Sequence, residues 1–392
     1  MSPRADADPR REIVAVVLAA GRSSRMGAFK PLLPFGEGTV VGHVATRLRE
    51  VGIRQIHVVY GCRPEIMAPA LERIGVVGVA NPDFDKGMYT SVRAGVASLP
   101  ASATGCLLWP VDVPMVRAET LKRVLEAEAE SGAAVVHPTF RGERGHPPYI
   151  GRSLFDEILR GDGEGGLRAV LARHESEARK VAVFDKGCLR DMDHPEDYRR
   201  LLEALGRQRV PDDEECEAMF DAMGVGEPIR SHCRAVAAFA TRLAERLKAA
   251  GAPLDVDLVR AAALVHDVAK GKPRHADAGA ELLRECGFPN VAAVVACHMA
   301  ISFDGEHVDE GAVVYLADKL VRGTTRVSLE ERFAPGFAHF AGDPAALAGA
   351  RQRYAAAQAI LRIVETHGGM PGCETAPATM SGRALAPMEL GR

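Results

Sequence analysis

Short apolar runs alternate with amphipathic segments from about residue 13 to residue 205. The runs IVAVVLAA (13–20), IHVVYG (56–61), VVGVA (76–80), CLLWPVD (106–112), AAVVHPTF (133–140) and KVAVFD (180–185) have the length and branched character of buried strands. Between them, VVGHVATRLREVG (40–52) and AETLKRVLEAEAESG (118–132) repeat apolar residues at helical spacing. Strands alternating with helices predict a doubly wound α/β domain over residues 12–205, with a mainly parallel sheet covered on both faces. The polar stretch GRQRVPDDEE (206–215) reads as a linker. Beyond it, CRAVAAFATRLAERLKAAG (233–251), DVDLVRAAALVHDVAKG (255–271), ADAGAELLRECG (276–287) and VAAVVACHMAI (291–301) predict an all-α domain over residues 216–369. Residues 1–11 and the Pro- and Ala-rich tail 370–392 are expected to be disordered.

Composition supports this division and excludes several classes. At roughly 150 residues per domain, 392 residues predict two or three domains. Hydrophobic residues at 47% exclude disorder as the main state. Aromatics are only 5%, so the cores must rest on Ala, Val, Leu and Ile. A net charge of −3 argues against a broad nucleic-acid-binding surface. The eight cysteines form no CxxC pair, which argues against a disulfide framework or a structural zinc module. No apolar stretch reaches the length of a membrane span, and the N-terminus has no apolar signal core. The expected location is the cytoplasm.

The first concentration of chemistry is LAAGRSSRMGAFK (18–30), directly after the first apolar run. Gly21, Gly27, Ser23 and Ser24 stand among Arg22, Arg25 and Lys30. A glycine-rich turn leaving a strand can aim several backbone N–H groups at one anion, and the cationic side chains then neutralise the remaining charge. Neither the GxxxxGK[ST] nor the GxGxxG pattern is present. An ordinary turn with solvated arginines is the alternative, but a string of this length makes it improbable. Asp112 follows CLLWPV, at the carboxyl end of an expected strand, where ligands bind in open α/β sheets.

This string resembles the LAAGxSxRMGxxK signature of the MobA-like NTP transferase family, the molybdenum-cofactor nucleotidyltransferases. PLLPFGEGTVVGHV (31–44), NPDFDKGMYTSVRAG (81–95), PVDVPMV (110–116), RGHP (144–147) and DMDHPEDY (191–198) follow in that family's order. Phe29, Val111 and His194 depart from its usual residues, and none of these removes a charge. The resemblance implies a Rossmann-like nucleotidyltransferase fold. It implies nucleotide binding by Leu18, Ala19, Ala20, Gly21, Arg22, Ser23, Arg25 and Lys30, with Gly87 and Ser91 near the base. It implies Mg²⁺ on Asp112 and Asp193, catalysis by Arg25, Lys30 and Asp112, and His146 on the acceptor side. The LAAG form is similar to cytidylyl members, which points to CTP as donor and molybdopterin as acceptor.

In the second half His232, His266, Asp267, His275, His298 and Asp318 recur on apolar helical segments. A carboxylate on such a helix is costly unless it is paired or metal-bound. Imidazole and carboxylate donors suit divalent transition metals or Mg²⁺. The pattern resembles the HD-domain metal-dependent phosphohydrolases, with HDVAKG, HADAGAELL and YLADKLV carrying the match. Met299 departs from the second consecutive His of some dinuclear members. The resemblance implies one or two metals on these six residues, with Asp267 catalytic. It also implies hydrolysis of a phosphorylated small molecule or nucleotide, and Lys270, Lys272 or Lys319 as candidates to stabilise developing charge. Two alternatives stay open: transfer to another small phosphorylated acceptor, and a second domain that binds nucleotide as a regulatory module without turnover.

Overall fold

The computed structural model describes residues 12–367. The terminal segments expected to be disordered, 1–11 and 370–392, lie outside the described residues. The strands are β1 (Glu12–Leu18), β2 (Pro34–Phe35), β3 (Gly38–Thr39), β4 (Ile56–Tyr60), β5 (Val77–Ala80), β6 (Ala103–Pro110), β7 (Val135–Phe140), β8 (Glu143–Arg144), β9 (Tyr149–Gly151), β10 (Arg179–Ala182), β11 (Val321–Arg322) and β12 (Thr325–Arg326). The helices of the first half are α1 (Val40–Glu50), α2 (Pro64–Arg73), α3 (Met88–Ala97), α4 (Ala118–Ser131), α5 (Phe155–Arg160), α6 (Gly166–Arg173) and α7 (Pro195–Leu205). Those of the second half are α8 (Asp213–Ala222), α9 (Glu227–Ala249), α10 (Val256–Val265), α11 (His275–Glu285), α12 (Pro289–Cys297), α13 (Glu310–Leu320), α14 (Leu329–His339) and α15 (Pro344–His367).

The main sheet runs β10-β7-β9-β6-β1-β4-β5, with β8 paired to β7. β1 is parallel to β4 and β6, whereas β9 lies antiparallel between β6 and β7. Along β1, Val14 and Val16 face one core, and Ala15 and Val17 face another. Both sides are therefore dry, as a central parallel strand requires. Strand order reverses beside β1: the chain moves outward to β4 and β5, then returns to β6 on the other side. Such a switch leaves a crevice at the carboxyl ends of β1 and β6.

Helix α3 packs on this sheet through Gly95, where a Cβ would collide with Val16 Cγ1 and lie 3.1 Å from Val59 Cγ2. Gly95→Val is expected to cost about 1–3 kcal/mol, the usual price of overpacking a core. A melting temperature unchanged by the substitution would show that the contact yields.

The second half buries one helical core around α9, α10, α12 and α13, covered by α15. In the stretch 206–215, expected as a linker, Arg207, Arg209, Asp213 and Glu214 are exposed, whereas Pro211 and Glu215 are buried. Asp212 caps α8 with Glu215 in a reciprocal pair, and Glu215 is buried. Its carboxylate takes two bonds from Arg117 of the sheet domain, at 2.7 and 3.1 Å. Arg117 also reaches Asp185 at 3.1 Å, and its guanidinium lies over the Phe288 ring. The two halves thus share a buried ion-pair network, which is strongly destabilising to break from one side.

Candidate active sites

The first site is built where β1 and β6 end. Leu18 pairs with Pro110 across the two strands, and Val111 N–H donates to the Leu18 carbonyl. The chain on each side leaves the sheet one or two residues later. The loop after β1 is held from below by buried Met26. It is closed by Lys30 N–H donating to Ser23 Oγ at 3.1 Å. Ser23 and Gly27 both take left-handed backbone, φ 55° and 68°. For serine that conformation is uncommon and marks a constrained turn. On the other strand, the single Trp109 donates its indole N–H to the Val113 carbonyl and so fixes the turn that carries Asp112.

The resulting cavity of about 210 Å³ is lined by Leu18, Ala19, Ala20, Gly21, Ser23, Lys30, Ser91 and Asp112 of the expected set, with Phe84, Met88 and Val111. Lys30 is buried, and its ammonium lies 2.7 Å from Asp193 and 3.7 Å from Asp112. One cation therefore stands between the two carboxylates that the resemblance assigns to Mg²⁺. Burial pushes the Asp112 carboxyl up and Lys30 opposes it, while the Lys30 hydrogen bond holds Asp193 below its ordinary range. Two converging carboxylates of this kind are a hard-oxygen donor set, which fits Mg²⁺.

Other expected residues stand at the margin. Arg25 is largely exposed and pairs with Asp193 at 3.2 Å. Arg22 lies over the Phe84 ring rather than in the cavity lining. Gly87 begins α3 at φ 115°, one residue before Met88. His146 is set back from the cavity, its Nδ1 buried without a hydrogen-bond partner. Burial lowers its pKa against the pull of nearby Asp112 and Asp191. Asn81 was not among the expected site residues, yet its amide donates to Thr90 Oγ1 and Ser91 Oγ at 2.9 and 3.0 Å. It opens the stretch 81–95, where Asn81-Pro82 ahead of a helix start was the available signal.

The second site gathers all six expected residues of the helical half. His232 comes from α9, His275 begins α11 and Asp318 lies in α13. The expected helix over 255–271 is shorter than its apolar spacing suggests: α10 ends at Val265, and His266 and Asp267 stand just beyond it. The chain there forms successive tight turns, Val268 N–H to the Val265 carbonyl and Lys270 N–H to the Asp267 carbonyl. His266 Nδ1 bonds the Ala263 carbonyl at 2.8 Å and His298 Nδ1 the Val295 carbonyl at 2.7 Å. Both are carbonyls of a last helical turn, and the Val295 carbonyl also takes the His298 backbone N–H. His232 Nδ1 likewise bonds the Gly323 carbonyl at 3.0 Å. With Nδ1 acting as donor, each ring presents Nε2 as a lone pair, the tautomer that a metal-ligating histidine needs.

The donor atoms form two groups that share Asp267. His232, His266 and Asp267 make one, and Asp267, His275 and His298 the other; within each, the donor atoms lie within 4.8 Å of one another. His266 Nε2 is fully buried without a hydrogen-bond partner, 3.6 Å from both Asp267 and Asp318. Burial opposes ionisation of Asp267 and Asp318. His298, His266 and Lys270 outweigh it at Asp267, and Lys319, His232 and His266 outweigh it at Asp318, so both stay below the ordinary carboxylate range. Buried carboxylates kept ionised beside an orphaned imidazole nitrogen fit a divalent cation. Lys270 and Lys319 reach the two aspartates at 3.1 and 2.5 Å, whereas Lys272 is exposed and outside the cavity lining.

A switch-point crevice with a buried lysine, followed by a helical His/Asp cluster, defines a nucleotidyltransferase joined to a metal-site domain. The family comparisons make this specific: residues 15–178 belong to the MobA-like NTP transferase domain and residues 229–323 to the HD domain. Over 186 residues the chain is 23% identical to the molybdenum cofactor cytidylyltransferase of Escherichia coli K12, spanning 47% of this chain and 93% of that protein. Over 116 residues it is 34% identical to the molybdenum cofactor guanylyltransferase of Xanthomonas euvesicatoria pv. vesicatoria, 30% of this chain and 55% of that protein. Among solved structures, Rv0371c of Mycobacterium tuberculosis H37Rv is 31% identical with a TM-score of 0.43, covering 50% of this chain and 99% of that one. No helix among the described residues is long and apolar enough to cross a membrane.

Proposed function

We propose that the first domain transfers CMP from CTP to the terminal phosphate of molybdopterin carrying molybdenum, with release of pyrophosphate. The second hydrolyses a phosphate ester or nucleotide. The observation that carries the transferase reading is buried Lys30 between Asp112 and Asp193, at the mouth of a glycine-rich loop. The backbone of residues 19–23 holds the triphosphate, and Lys30 takes up the charge that grows on the departing pyrophosphate. An acceptor phosphate oxygen attacks the α-phosphorus, and the bond to the β-phosphate oxygen breaks in line with it. Positioning and electrostatics supply most of the rate. Mg²⁺ on Asp112 and Asp193 adds charge neutralisation at the phosphates. Ala20, in the LAAG form, supports CTP over GTP.

For the second domain, His232, His266, Asp267 and Asp318 would hold one metal, and Asp267, His275 and His298 a second. Bound there, the metals supply Lewis acidity toward a phosphate ester. Each donor group offers three ligand residues with donor atoms within 4.8 Å of one another, which disfavours a degenerate regulatory module. A nucleotide screen of the full-length protein with Mg²⁺ and Mn²⁺ tests both readings when pyrophosphate and phosphate are followed separately. CTP should give pyrophosphate only when the molybdenum-loaded acceptor is present. Equal release with other phosphorylated acceptors would overturn the acceptor assignment.

A further inference from the structure

The cavity beside the helical His/Asp cluster, about 430 Å³, carries more positive charge than hydrolysis of one phosphate uses. Five cationic side chains line it: Lys270, Lys319, Arg322, Arg332 and Arg353. The lining carboxylates are only Asp267 and Asp318, which leaves a surplus of three positive charges before any metal binds. Lys270, Lys319 and Arg332 each reach one of those aspartates. Arg322 instead donates to the backbone carbonyls of Glu331 and Arg332. Arg353 has no carboxylate within ion-pair distance among the described residues. Its guanidinium is therefore free to take an anion from a ligand.

The cavity also has a preformed apolar side. Phe333 lines the cavity and packs against Phe337 and Tyr354, with ring centroids 6.0 and 5.3 Å away. Phe337 and Tyr354 meet edge-on at 5.5 Å, so the platform is braced from behind. Phe340, on the turn after α14, also faces the cavity. Arg332, Phe333, Phe340 and Arg353 all lie beyond residue 323, where the matched HD domain ends. Helices α14 and α15 thus add to the metal cluster a wall that the family match does not contain.

We propose that this wall selects the substrate: an organic phosphomonoester with an apolar or aromatic body and a second anionic group. The second anion is taken by Arg353, with Arg322 beside it. The phosphate to be cleaved lies at the Asp267 and Asp318 end, near Lys270 and Lys319. The body lies against Phe333 and Phe340. The proposal deepens the hydrolase reading of the second site and rests on it for turnover, but its charge argument holds without metal.

Two probes isolate the second anion: phenyl phosphate and 4-carboxyphenyl phosphate, which share a ring and differ by one carboxylate. Calorimetry on the metal-free full-length protein should show the carboxylated probe binding at least tenfold more tightly. Arg353→Gln should shrink that preference to within twofold, and Arg353→Lys, which keeps the charge, should restore part of it. With Mn²⁺ added, the same tenfold preference should appear in KM for phosphate release and vanish in Arg353→Gln. An unchanged circular-dichroism melt of Arg353→Gln establishes that the variant is folded. Affinities within twofold of each other in the wild-type protein overturn the proposal, as does a preference that survives Arg353→Gln. Failure of the Mn²⁺-loaded protein to release phosphate from either probe overturns the hydrolase reading instead, and the metal-free binding comparison still decides the second anion.

Discussion

His266→Ala protein is expected to lose the metal held by His232, His266 and Asp267, and with it phosphate-ester hydrolysis, while nucleotidyl transfer continues unchanged. His266 has no other use for its Nε2: the atom is fully buried without a hydrogen-bond partner, and Nδ1 is already committed to the Ala263 carbonyl. Removing the ring takes one of the three donors from the group that His266 forms with His232 and Asp267. Outer partners of metal ligands are worth about 10–100-fold, and loss of a ligand should exceed that range. Transfer is spared because its crevice draws on β1 and β6, and distant sites without shared partners behave independently. His275→Ala should leave about half of the metal, because His275 belongs to only one of the two groups that share Asp267. Chelation should lower the melting temperature of wild-type protein. A metal held at a hundred times its dissociation constant stabilises the folded state by about 2.7 kcal/mol. Elemental analysis is the deciding measurement. Less than about a tenth of an equivalent after growth with added Mn²⁺, Fe²⁺, Ni²⁺ and Zn²⁺, with no chelator effect on melting, would remove the metal site.

The parts of this molecule that were legible in its sequence are those whose physics is local. Strand β1 is fully buried from Val14 to Val17, so its apolar run could be seen without knowing what covers it. The antiparallel β9 escaped because three residues carry no period, and its place between β6 and β7 is a tertiary fact. Strand β6 is shifted toward Ala103 relative to its apolar run. Val111 and Asp112 leave the sheet to line the crevice, so function interrupts the pattern there. The end of α10 was misplaced for a related reason. Val268 and Ala269 are as buried as any helical core position, but tight turns rather than a helix carry them. At the end of the polar stretch 206–215, Glu215 reads as solvated until its partner Arg117, 98 residues away, is brought to it. The second cavity's arginines have no motif at all: Arg332 and Arg353 stand in unremarkable helical sequence, and only folding places them beside the histidines.

Lys30→Met should reduce pyrophosphate-releasing transfer by about 10²–10³-fold with little change in stability, and Arg25→Ala should cost much less. On sequence alone the two residues stand equal, since both lie in the loop at 18–30. The structure separates them. The Lys30 side chain is 11% exposed and reaches both Asp112 and Asp193, whereas that of Arg25 is 70% exposed and reaches Asp193 only. A charge in a partly dry crevice interacts more strongly with phosphate than one in water, where solvent screens it. Methionine keeps most of the lysine's apolar length and so preserves packing under the loop, and Lys30 N–H still donates to Ser23 Oγ. What disappears is the cation between two carboxylates and the triphosphate. One charge-assisted hydrogen bond is worth about 1.5–3 kcal/mol, and Lys30 is positioned to make more than one as charge shifts to the leaving group. Asp112→Asn should abolish Mg²⁺-dependent transfer through the same centre and leave hydrolysis by the helical domain intact, with additive behaviour in the double variant with His266→Ala. Wild-type CTP affinity and turnover in Lys30→Met would show that the triphosphate lies elsewhere. Loss of both activities in Asp112→Asn would show that the buried Arg117–Glu215 junction couples the two sites rather than merely joining them.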